Sequence, residues 1–182
     1  FSQESTQPSS IQRNNLHIKK INSTIKIDGI LDEPEWQTAE VAAGFWKKFP
    51  TDDGPATRNT EAKTMYNDQF LYISFTAYDS SKAFIMSLKR DIGHDGNDGV
   101  AVILDPQNQK TNGFVFVVNA FNAQSDDLLS PDADDVQWSW DNKWYSATKR
   151  YDTYWTAEFA IPFKTLRYAS NKKEWAINFL RV

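Results

Sequence analysis

Thr60-Glu61-Ala62-Lys63-Thr64-Met65-Tyr66-Asn67-Asp68-Gln69-Phe70-Leu71-Tyr72-Ile73-Ser74-Phe75-Thr76-Ala77-Tyr78-Asp79 is the stretch that decides the fold. Side chains alternate across a strand, so Leu71, Ile73, Phe75 and Ala77 share one face while polar residues dominate the other. Asn67-Asp68 supplies turn chemistry between two such runs. The pattern predicts a hairpin with arms at residues 60–66 and 70–79.

The same period spreads outward from this hairpin. Residues 98–105 contain Val100–Leu104, apolar on both faces, the mark of a central strand. Residues 113–121 form another strand, and residues 124–135 read as an acidic loop. Residues 143–150 and 153–161 make a second hairpin, with Trp155, Ala157, Phe159 and Ile161 on one face. Residues 162–166 fit one helical turn, and Trp175, Ile177 and Phe179 line the inner face of a last strand. Upstream, residues 16–21 and 24–28 read as short strands, and residues 45–49 as another. Between them, Asp32-Glu33-Pro34-Glu35-Trp36 predicts a short helix with Asp32 as N-cap and Pro34 in its first turn. Trp36, Trp155 and Trp175 lie on apolar faces and are assigned to the core. Roughly nine to eleven short strands with no long helix predict an antiparallel β-sandwich.

Composition fits this reading and narrows the function. The chain has 7 Trp, 7 Tyr and 12 Phe against 2 Met, and aromatic residues of this kind favour strands. A length of 182 residues fits one domain. There is no cysteine, which excludes disulfides, thiolate metal sites and a cysteine nucleophile. A net charge of −4 without a basic run argues against nucleic acid. No apolar stretch reaches the ~20 residues that a spanning helix needs. Residues 1–15, polar and without periodicity, read as a disordered leader, and residues 16–182 as the folded domain. The strand pattern at residues 174–182 stops without a turn, and the natural protein is expected to continue past Val182.

An ordered set of residues then resembles a known family. It comprises Ile27-Asp28-Gly29-Ile30-Leu31-Asp32-Glu33-Pro34-Glu35-Trp36, Lys63 to Tyr66, Leu71-Tyr72-Ile73, Arg90-Asp91 and Asp98 to Asp105. It continues with Gly113-Phe114 and Asn119, Trp140-Asp141 to Trp144, and Ile161-Pro162-Phe163 to Leu166-Arg167. The set resembles family 9 carbohydrate-binding modules (CBM9). More closely, it is similar to the CBM9-like N-terminal domain of large outer-membrane-associated Bacteroidetes proteins, the DUF5916 group. The resemblance implies a jelly-roll-like sandwich related to the DOMON superfamily, structural calcium in some members, and sugar held between aromatic rings. It also implies a bacterial envelope location (periplasm, outer membrane or cell surface) and a β-barrel following this domain.

Sugar recognition needs flat aromatic faces for the C–H side of a pyranose and planar polar groups for its hydroxyls. The candidates are Trp46, Trp138, Trp140 and Trp144, with Arg90, Asp98 and Asn119 as polar partners. Arg90 is equally suited to a surface ion pair, and Asn119 to backbone hydrogen bonding. Calcium needs six to eight oxygen ligands. The acidic groups dense enough are Asp91, Asp95 and Asp98, and Asp126, Asp127, Asp132, Asp134 and Asp135. Neither has EF-hand spacing.

Catalysis is poorly supported. His17 and His94 are the only histidines, and no nucleophile-elbow, zinc-protease or phosphate-loop motif occurs. The expectation is a non-enzymatic module that binds an oligosaccharide or polysaccharide. The alternatives are a docking domain for a membrane barrel or partner protein, and a haem-binding domain using Met65, Met86, His17 or His94.

Overall fold

The computed structural model describes residues 15–81, 83–91, 97–130, 140–168 and 172–182. Two sheets face each other. The first has the order β1-β5-β6-β11-β10, with β2 added beside β5. Its strands are β1 (Lys19–Lys20), β2 (Val41–Ala42), β5 (Thr60–Tyr66), β6 (Phe70–Tyr78), β10 (Tyr145–Arg150) and β11 (Tyr154–Pro162). The second has the order β12-β7-β8-β9, from β7 (Gly99–Asp105), β8 (Gly113–Asn119), β9 (Gln124–Leu129) and β12 (Ala176–Arg181). A small ribbon pairs β3 (Trp46–Lys47) with β4 (Gly54–Pro55). Pairing is antiparallel except between β1 and β5, which run parallel. The predicted β-sandwich is therefore the observed fold.

The expected hairpin is β5–β6, with Tyr66 opposite Leu71 and Thr60 opposite Ala77. Leu71, Ile73, Phe75 and Ala77 point inward and are buried. They meet Val100, Val102 and Leu104 from β7, and Phe116 and Val118 from β8, in one apolar cluster. Burying each large side chain contributes about 1.5–3 kcal/mol, so this interlayer contact dominates stability. Trp155 belongs to this cluster and Trp175 packs against its rim. Arg181 closes one end, donating to the Tyr78 carbonyl at 2.9 Å and to Asp79 at 2.9 Å.

The outer face of the first sheet is covered by a strap of residues 21–39. Ile25 and Trp36 cover Met65, Tyr72 and Ala160 in a second buried cluster. Trp36 sits on α1 (Pro34–Thr38), the expected short helix. Glu33, not Asp32, occupies the N-cap, and no side chain caps it. Glu35 instead accepts a hydrogen bond from Ser23 at 2.5 Å. Trp36 is thus buried, as expected, but outside the interlayer core.

Glu158 of β11 fixes the strap. One carboxylate oxygen accepts the amides of Asp28 (3.0 Å) and Gly29 (2.7 Å), and the other accepts Trp36 Nε1 (3.2 Å). Gly29 is required there. Its φ is +82°, and a Cβ would lie 2.6 Å from the carbonyl carbon of Thr148.

Two other expectations change. Residues 24–28 are not a strand but part of the strap. The acidic loop expected at residues 124–135 begins as a strand, β9, whose Asp126 and Asp127 are fully buried.

Candidate functional site

At the β9 edge of the sandwich the candidate residues do gather, but mostly to hold one another. Asp126 points inward beside Phe116. Its Oδ1 accepts Trp144 Nε1 at 3.0 Å and Arg90 Nη2 at 2.5 Å, and its Oδ2 accepts the Asn142 amide at 2.7 Å. Burial pushes the Asp126 carboxyl up, and the bonds from Trp144 and Asn142 with the Arg90 charge pull it back. Arg90 also donates to Gln124 Oε1 at 2.8 Å, Asp141 Oδ1 at 2.7 Å and the Asn142 carbonyl at 3.2 Å. Arg90 also pairs with Asp91, Nε to Oδ2 at 3.3 Å, the ion pair open to it in the sequence, but its buried partner is Asp126.

Three of the proposed sugar contacts serve the fold instead. Trp144 is 4% exposed. It stacks on Phe159 at 5.2 Å and meets Phe116 edge-on at 5.3 Å, so neither indole face is open to a ligand. Asn119 is buried, accepts the amides of Phe121 and Ala123, and donates to the Ser87 carbonyl. That is the backbone alternative, set by the turn after β8. Asp98 accepts the Phe84 amide at 2.6 Å and lies 3.6 Å from Arg58. Trp140 is half-buried against Phe114 and Phe116. Trp138 lies outside the described residues.

Trp46 differs from these. It stands on the β3–β4 ribbon, 62% exposed, with its Nε1 donating to Asp52 Oδ1 at 2.6 Å. Lys48 pairs with the other Asp52 oxygen. The neighbouring Phe49 is more exposed still. The indole is therefore held by its edge while most of the ring meets solvent.

A third region, touched by Trp144 alone of the sequence candidates, lies on the outer face of the first sheet beside the strap. An open groove of about 380 Å³ runs there between residues 24–27 and β10. Tyr145 and Phe70 form its walls, and Gln124 and Ser146 reach its rim. Composition does not mark Gln124, whose segment reads as an acidic loop, or Tyr145, whose strand neighbours are mostly polar. The alternation Tyr145, Ala147, Lys149 was the available signal.

For calcium, Asp126 does not fit, because its carboxylate already accepts three N–H groups, one of them from the Arg90 cation. Asp132, Asp134, Asp135 and Asp95 lie outside the described residues. Asp127 and Asp91 each have one oxygen to offer, Asp91 Oδ2 being paired with Arg90 Nε at 3.3 Å. Asp127 Oδ2 and Asp91 Oδ1 are both buried without a hydrogen-bond partner. Burial raises the Asp127 carboxyl, and the nearby Asp91 charge raises it further. Among the described residues no group of three or more His, Asp or Glu gathers around one point, so carbonyl oxygens would have to complete such a site. The haem alternative loses Met65, which is sealed in the strap cluster. His17 is engaged with Glu40, and His94 lies outside the described residues.

Among the described residues no helix is long and apolar enough to cross a membrane. No curated protein matches the chain. Solved structures share its fold. A CBM9 module from Caldicellulosiruptor kristjanssonii in complex with cellotriose is 20% identical, covering 89% of this chain and 74% of that one, with a TM-score of 0.60. The complex of a CBM9 from the same organism with glucose gives 20% identity, 89% and 75% coverage, and 0.58. A Bacteroides uniformis protein described as a candidate carbohydrate-binding protein is 13% identical over 90% of this chain and 81% of that one, at 0.64. The family model begins at Ile27, where the Asp28-Gly29 turn docks on Glu158, and runs to the last strand. With residues 27–181 matched, the chain belongs to the carbohydrate family 9 binding domain-like family, which describes a binding domain and not a catalytic one.

Proposed function

We propose that this chain is a non-catalytic module that recognises an oligosaccharide by stacking a pyranose ring on an exposed aromatic face. The observation that carries this reading is Trp46, whose indole is anchored through Asp52 and otherwise in solvent. A side chain fixed before binding loses little rotamer entropy when it is covered. Asp52 and Lys48 beside it offer an acceptor and a donor for ring hydroxyls. The family match and the two sugar complexes of structural neighbours support the ligand class. The setting we propose is the bacterial envelope, in line with the family resemblance of the sequence motifs. Calorimetry against a panel of soluble plant, algal and host oligosaccharides tests the proposal. At least one should bind, and Trp46→Ala should weaken that binding about tenfold, the effect of losing ~1.4 kcal/mol of stacking. No binding across the panel would remove the reading.

A cation held by Asp91 and Asp127 belongs to the same proposal, because it would explain two buried carboxylate oxygens without partners. Added calcium should raise the melting temperature of metal-stripped protein, and Asp127→Asn should abolish the rise. Identical melting with calcium and with chelator would dismiss it.

A second reading has one specific observation in its favour. Phe84, Met86 and Leu88, alternating along one segment, are all exposed, as a surface for docking a protein would be.

A further inference from the structure

We infer that the groove between the strap and β10 is a separate subsite for one uncharged hexopyranosyl unit; this deepens, and rests on, the reading that the chain binds a glycan. Its shape follows from the register. Tyr145 of β10, Ala160 of β11 and Tyr72 of β6 lie side by side across three strands. The small residue in the middle leaves a trough, and its flanking strands are about 9–10 Å apart at the usual interstrand spacing. Ala160 is the floor. Phe70 closes one end, its ring centroid 5.8 Å from Tyr72 and 6.1 Å from Tyr145. Tyr72 is buried behind it, whereas Tyr145 is 44% exposed, with Lys143 Nζ 5.8 Å from its ring centroid. The volume, about 380 Å³, lies within the range of small-ligand sites.

The rim supplies hydroxyl recognition of fixed polarity. Arg90 donates to Gln124 Oε1 at 2.8 Å, which sets the orientation of the amide. Gln124 Nε2 donates to Ser146 Oγ at 2.8 Å, and Ser146 donates to Asn122 Oδ1 at 2.7 Å. The amide keeps one N–H and one lone pair for a ligand, and Ser146 keeps one lone pair. Arg90 thereby acts as a positioning residue: its guanidinium does not line the groove but holds the amide that does. Among the described residues, no side chain lining the groove is charged. Lys143 stands outside the lining, engaged over the Tyr145 ring in a cation–π contact. A purely apolar ligand would strip water from Gln124 and Ser146 without replacing its hydrogen bonds, which costs free energy. A neutral pyranose satisfies both surfaces, with C–H groups against Tyr145 and hydroxyls toward Gln124.

The test is a residue-resolved NMR titration of the whole chain with cellohexaose, with glucose and with polygalacturonate as comparisons. In the wild type, the amides of Tyr145 and Ser146 and the Gln124 side chain should shift. The Kd read from those signals should rise about tenfold in Tyr145→Ala and stay within twofold in Tyr145→Phe. Tyr145 lies on an edge strand, and the wild-type shifts decide the matter even if Tyr145→Ala folds poorly. Perturbation confined to the Trp46 indole would overturn the groove while leaving glycan binding intact. Shifts with polygalacturonate alone would overturn its neutral specificity. Shifts with no sugar at all would overturn both.

Discussion

Glu158→Ala should lower the unfolding free energy by about 3–5 kcal/mol at pH 5, the largest single effect expected on the strap. The substitution leaves the amides of Asp28 and Gly29 and the indole N–H of Trp36 buried and unpaired. Each such orphan costs about 1–3 kcal/mol. It also opens a cavity beneath Trp36. Glu158→Gln should cost less, because the amide oxygen can still face the two backbone amides, while its NH2 confronts Trp36 Nε1.

The pH dependence separates these variants from the wild type. Burial pushes the Glu158 carboxyl up to about 7, against the pull of the Gly29 and Asp28 amides. Its folded pKa is therefore above its unfolded value of 4.5. The neutral form is favoured in the folded state, so this contribution is fully present below pH ~4.5 and is lost as pH rises toward ~7. Urea unfolding between pH 4.5 and 8 should show wild-type stability falling across that window, relative to Glu158→Gln. Parallel profiles for the two proteins would refute the assignment.

Asp126→Ala should cost a comparable ~3–5 kcal/mol, the usual price of breaking a buried charged network by removing one partner. Trp144 Nε1 and the Asn142 amide lose their acceptor, and Arg90 loses its buried one. Arg90→Ala should cost less, because Asp126 keeps two N–H donors and the arginine is itself partly exposed. Denaturant unfolding gives the ranking. Hydrogen exchange at Asn142 should accelerate in Asp126→Ala far more than at the central strand β7. A loss for Asp126→Ala below ~1 kcal/mol would mean that the network is ornamental.

How much of this was legible in the sequence depends on how far apart the deciding contacts lie. The arms of β5–β6 could be read because register and face are set by a period of two and a local turn. Strand β9 could not. Two adjacent aspartates look like a solvated loop, and the partners that let Asp126 enter the interior come from residues 90, 142 and 144. Trp144 was misplaced for the same reason: its indole N–H answers a carboxylate 18 positions away, which no local pattern reveals. Residues 24–28 have strand composition, but Ile25 and Ile27 pack onto Met65, Tyr72 and Ala160, so they lie across the sheet face. Trp46, by contrast, is exposed, as a residue that stacks on a ligand must be. The groove at Tyr145 was invisible because a trough is a relation between three strands: an alanine between two tyrosines means nothing until the register is known.

The anchor between Gly29 and Glu158 joins positions 129 residues apart. During synthesis the strap can reach Met65 and Tyr72 early, but its carboxylate anchor is missing until residue 158 has been made. Through that interval the indole N–H at position 36 has no acceptor and its apolar cluster lacks Ala160, a standing target for holdase chaperones and proteases. Anchoring of the outer layer must come late, and a nascent chain stopped short of position 158 would carry its own recognition flag for degradation.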